Sequence, residues 1–130
     1  MARTNLPLSN LVANGSLADP AGTAIDQANG MNVAIPTTAI PSGPHMDKLL
    51  LRVANTAAAP HNVTVGKGSD KALAFRAGIG DLVVSVTNAT TKWIGPFEIA
   101  RFAQPDGSLN IDTDAGTTGT ITAFMVPTSA

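Results

Sequence analysis

A chain of 130 residues with a formal charge of -1 and only 13% charged side chains has room for one domain with a modest core. It carries no basic stripe to neutralise nucleic-acid phosphates, so no nucleic-acid partner is expected. With no Cys it offers neither a disulfide framework nor a thiolate metal site.

Aromatics are 4% of the chain and much of the apolar content is Ala and Val. Such a core is thin, at roughly 25 cal/mol for each Å² buried, and contact with neighbours is a natural further source of stability. No stretch approaches the roughly 20 apolar residues of a membrane span, and the first residues lack a continuous apolar signal run. The product is therefore expected in the cytoplasm when made, with no membrane partner.

Residues 1–46 contain Pro7, Pro20, Pro36, Pro41 and Pro44 but only Arg3, Asp19 and Asp26 as charges. Proline fixes φ and cannot donate to a ladder, so this segment reads as an extended N-terminal arm with short β pieces. Two local readings compete within it. One is a short helix capped by Asp19, with Pro20 first and Gly30 just past its end, weakened by Gly22. The other, preferred on turn strength, is a hairpin at Asn29-Gly30 followed by a strand through Asn32, Val33, Ala34 and Ile35.

From residue 47 to 130 the texture is that of a β-sandwich domain. Leu49, Leu51 and Val53 alternate with Leu50, Arg52 and Ala54 as a strand, Pro60 follows its end, and residues 61–65 resume the alternation as the other arm of an expected hairpin. Residues 71–80 read as a loop with Phe75 as its anchor. Leu82, Val84 and Val86 share one strand face, and a turn over residues 88–91 leads to Trp93 as a second expected hairpin.

A strand is expected from Phe97 through Ile99 to Phe102, then a turn at Pro105-Asp106-Gly107. Leu109 and Ile111 alternate with Asn110 and Asp112, and Ile121, Ala123 and Met125 alternate with Thr120, Thr122 and Phe124 before Pro127. Short strands at near-regular spacing predict an all-β fold, a small antiparallel β-sandwich or barrel with an extended N-terminal arm.

Chemical motifs are weak throughout. The run Asn110, Asp112, Asp114 misses a calcium loop, because Ala115 stands where Gly belongs and Ile121 where the bidentate Glu belongs. His45 and His61 have no partner at a ligand spacing, no Gly-x-Ser-x-Gly elbow is present, and Gly66-Lys67-Gly68-Ser69 departs from a phosphate loop. No catalytic residue, cofactor or metal is expected. Trp93, Phe97, Ile99, Phe102 and Phe124 are expected as bulky core anchors or as an oligomer seam.

The pattern W-I-G-P-F-E-x-x-R-F-x-Q-P-D-G-S-L-x-I-D, followed by G-T-x-x-A-F-x-V-P, resembles small virion proteins of tailed bacteriophages of actinobacteria. Its residues are 93–98, Arg101, Phe102, 104–109, Ile111 and Asp112, then Gly119, Thr120, Ala123, Phe124, Val126 and Pro127. The arm's residues 14–24 and Asn29-Gly30 are similar to the same group. The resemblance implies a head decoration (capsid cement) protein on the capsid exterior of the virion. Its partners would be the major capsid protein and itself, as a homotrimer at local three-fold positions.

On that implication an extended arm can add a strand to the shell protein's sheet edge. The residues expected to make that contact are Asn5, Leu6, Leu8, Leu11, Val12, Ile25, Met31, Val33, Ile35 and Ile40. A tail-tube, head-tail connector or fibre-associated protein, and a virion-displayed host or sugar-binding module using Trp93, are the alternatives.

Overall fold

The structure, a computed structural model, describes residues 3–11, 14–34, 48–69, 74–105 and 107–126. Ten strands form two sheets. In chain order they are β1 (Thr4–Asn5), β2 (Leu8–Asn10), β3 (Thr23–Ala24), β4 (Met31–Ala34), β5 (Leu49–Asn55), β6 (His61–Val65), β7 (Leu82–Val86), β8 (Thr90–Ile94), β9 (Ser108–Thr113) and β10 (Gly119–Met125). One sheet has the order β1-β4-β9-β6-β7, the other β2-β10-β5-β8, with β3 added to β10. Neither sheet closes on itself, so the fold is a sandwich rather than a barrel.

Period-2 patterning builds the core. Leu49, Leu51 and Val53 of β5, Val63 and Val65 of β6, and Leu109 and Ile111 of β9 are all buried, as their alternation predicts. Ile121 and Ala123 of β10 join them. On β10 the opposite face is buried too, at Thr122 and Phe124, because this central strand is covered on both sides.

Alternation decides which side chains face in, but not which sheet a strand joins. β5 pairs with β10 and β8, whereas β6 pairs with β7 and β9. Both expected hairpins, β5 with β6 and β7 with β8, are instead connections that cross from one sheet to the other. In the tight second crossing Ala89 takes a positive φ of 56° and Thr90 donates from its backbone and hydroxyl to Thr87 O.

The N-terminal segment is not an appendage to the sandwich. β1 runs parallel to β4, and β2 runs parallel to β10, so residues 4–10 contribute an edge to each sheet and the sheets are mixed. Leu6, between those two strands, is 1% exposed and fills the gap where the chain passes from sheet to sheet. The Asn29-Gly30 turn and the strand after it are present, with Gly30 at φ 76° and its N–H on Asp26 O. They do not make a hairpin, because β3 belongs to β10 and β4 to β9. The competing helix does not form.

Two further expectations change. Residues expected as a strand from Phe97 to Phe102 wind into a single helical turn, α1 (Ile99–Phe102), after the Gly95-Pro96 cis peptide. The turn lets Phe97 and Phe102 meet edge-on at 5.7 Å and plug the end of the sandwich where β5 begins. Phe75 does not anchor its loop. It is 78% exposed, before a 3-10 turn (Ala77–Ile79), and Ala74 takes the buried place.

Gly119 shows a close approach that only glycine permits. It has φ 125°, and a Cβ there would strike the carbonyl oxygen of Ala54 on the paired strand.

Candidate interaction surfaces

The sheet orders give the sandwich two flanks. β1 and β2 edge one, and β7 and β8 edge the other.

The first flank is held by charge as well as by Leu6. Arg3 forms a two-pronged pair with Asp112 at 2.8 and 3.3 Å and also donates to Ile111 O at 3.2 Å, so it straps β1 onto β9. Beside it Asp26 accepts the Thr4 hydroxyl at 2.6 Å and the Asn29 backbone N–H at 3.0 Å. Those bonds, the Thr4 hydroxyl first, hold the Asp26 carboxyl below its ordinary value of 3.8.

Several residues expected to face a shell are consumed here. Leu6, Met31 and Val33 are core side chains, and Leu8 and Ile25 are half-buried against that core. Leu6, Met31 and Val33 do not reach the surface because the backbone around them is paired within this chain. Asn5 is exposed and Leu11 half-exposed. Val12, Ile35 and Ile40 lie outside the described residues, as do Asp106 and His45.

Across the outer face of the second sheet, Thr122, Arg52 and Trp93 stand in one register row. The Arg52 guanidinium pairs with Asp19, donates to Pro20 O at 2.7 Å and lies 5.6 Å from the centroid of the Phe124 ring. It therefore fastens residues 14–22 over β10. Trp93 lies against Phe124 with ring centroids 5.2 Å apart. Phe124 is buried beneath it while Trp93 itself is 56% exposed. Phe97 and Phe102 are thus core side chains, Phe124 is buried on the outer face and Ile99 is half-buried, but Trp93 is not a core anchor. Its face of β8 is the outer one.

The β7/β8 flank is different in kind. Its internal fastener is polar: Asn55, almost wholly buried, donates to Val86 O at 3.0 Å and to Ala59 O at 3.1 Å, and accepts from Ala57 N. Outside, Val83 is 56% exposed and Ile79 53%. Sequence reasoning assigned Val83 only to the face opposite Leu82, Val84 and Val86, and missed Ile79 and Asn55. The uncharged run LVVSV was the available signal for Val83; nothing local marks Asn55.

The remaining polar groups serve the fold. Arg76 pairs with Glu98 at 2.8 Å, Arg101 donates to Gly80 O and Asp81 O, Asp81 accepts from Lys67 N, and Asp114 accepts from Asn62 N. The two described carboxylates of the acidic run, Asp112 and Asp114, are thereby clips between strands and loops. A hollow of about 470 Å³ lies beside β4 and β9, among Arg3, Asn32, Gln104, Pro105, Ser108 and Asn110. The Gln104 amide is engaged by Ser69 and by Lys67 O. Among the described residues no group of three or more His, Cys, Asp or Glu is placed to hold a metal ion, and no helix is long and apolar enough to cross a membrane. No protein-family model, curated protein or solved structure matches this chain.

Proposed function

We propose that this chain is a non-enzymatic structural subunit of a tailed-phage virion, a head decoration protein bound to the outside of the shell formed by the major capsid protein. The family resemblance of residues 93–127 and of the arm motivates the reading. One physical observation carries it. Each described carboxylate and each arginine is committed to a partner within its own chain, while Phe75, Ile79, Val83 and Trp93 stand in water within one stretch of sequence. A surface with that balance is suited to apolar packing against other protein.

The mechanism is mass action. A protein that binds the expanded shell and not its immature form adds RT ln(1 + [L]/Kd) to the expanded form, about 2.7 kcal/mol at a hundredfold excess over Kd. No bond is made or broken. Shell contact falls to the outer margin of the N-terminal flank, at Asn5, Leu8 and Leu11, since Leu6, Met31 and Val33 are spent in the core. Grouping at local three-fold positions is then imposed by the shell and does not require a trimer in solution.

The test is to add the purified chain to phage heads lacking it, before and after expansion, and to measure what sediments with them. Binding to expanded heads alone is the expected result. Equal binding to both forms would remove the mass-action mechanism, and binding to neither would overturn the reading. A second reading, a virion-displayed sugar-binding module, is favoured by the exposed Trp93 ring. It predicts glycan binding that Trp93→Ala abolishes while head binding is unchanged.

A further inference from the structure

We infer that β7 is a self-association edge, along which two copies of this chain pair antiparallel about a two-fold axis through Val84. A strand at the edge of a sheet presents unpaired N–H and C=O groups that a second strand can satisfy, and proteins that must stay apart blunt such edges. The four edges here differ in how they are blunted. β1 and β2 are two and three residues long. β8 carries Lys92 at its centre, so two copies of β8 paired about their midpoint would set Lys92 against Lys92. β7 is five residues, LVVSV, without a charge or a proline, and among the described residues its only ladder partner is β6.

β7 is also complementary to itself. In the register centred on Val84, Leu82 faces Val86, Val83 faces Ser85, and Asp81 falls beside Thr87, so no like charges meet. Val83 and Ser85 are exposed on the outer face, and Leu82, Val84 and Val86 continue the inner row into the second copy. Two side chains of the same protein reach β7 carbonyls. Asn55 at Val86 O is buried and stays; Lys92 at Ser85 O, 3.2 Å, is exposed and its bond is one that water replaces. Phe75 and Ile79 lie in the segment leading into β7 and are the next most available apolar surface for the contact.

The two-fold contact differs from the three-fold grouping on the shell and would join neighbouring groups across local two-fold axes. That placement rests on the head-decoration reading; the pairing itself does not.

The experiment is sedimentation of the purified chain over about micromolar to millimolar concentration, with two variants. The unmodified chain should pass from monomer to dimer, and Val83→Lys should shift the midpoint at least about tenfold to higher concentration. The double variant Val83→Cys, Ser85→Cys, in a chain with no other Cys, should give under oxidation a covalent dimer that reductant resolves. Hydrogen exchange of residues 82–86 in the unmodified chain, slowing as concentration rises, checks the same contact without any substitution. A monomer up to millimolar concentration, a trimer, or a dimer that Val83→Lys leaves intact and the cysteines do not cross-link would overturn the pairing. Failure to bind heads would leave the dimer standing, and failure to dimerise would leave head binding standing.

Discussion

The two flanks of this sandwich solve one problem in opposite ways. On the N-terminal flank the chain passes from one sheet to the other through Leu6, an apolar plug, and ties the crossing down with the Arg3–Asp112 and Thr4–Asp26 pairs. On the β7/β8 flank the crossing is fixed by Asn55, and apolar side chains are left outside. A thin core makes the contrast instructive. Where apolar groups are scarce, placing Leu6 inside closes one flank, while leaving Val83 and Trp93 outside keeps the other available to neighbours.

Trimming the plug should weaken the fold most. Leu6→Ala should cost about 2–5 kcal/mol in denaturant unfolding, since it empties a fully buried site. Val83→Ala, on the open flank, should stay within about 0.5 kcal/mol in the monomer. If the two cost the same, the first flank is not closed by Leu6. Next in size is Asn55→Ala, which leaves the buried carbonyl of Val86 without its donor and should cost about 1–3 kcal/mol in the same assay.

Arg52→Ala should have a smaller effect, about 1 kcal/mol, because its Asp19 partner is largely exposed. Its clearer signature is faster proteolysis within residues 14–22. Smallest is the acid response of the clasp. The Asp26 carboxyl is held below 3.8, so its contribution is complete above that value and is lost as pH falls through the depressed one. Asp26→Asn should flatten that part of the thermal midpoint's dependence on pH; an unchanged acid slope would show that the clasp does not contribute.

Much of the core was legible in the sequence because alternation reports directly on the inner and outer faces of a strand. Leu49, Leu51, Val53, Leu109, Ile111 and Ile121 all face where their spacing placed them. Strand partnership was not legible, since a short connection looks the same whether it closes a hairpin or crosses between sheets. The arm is hard to read for a related reason. Proline spacing implies short extended pieces, but nothing local indicates that Met31 and Val33 pair with β9, or that Leu6 is held on β4 and buried, rather than facing outside the chain. The size of Trp93 suggests an anchor, although its neighbours Thr91 and Lys92 already mark β8 as exposed.

A three-dimensional image of the virion, at a resolution that traces this chain, decides whether the chain sits on the head as proposed. If the head-decoration proposal is right, the image shows sandwiches on the outside of the head shell, repeated with its icosahedral symmetry, with Asn5, Leu8 and Leu11 toward the major capsid protein. A single ring at the portal, a stack along the tail, or a place on the tail fibres would contradict it.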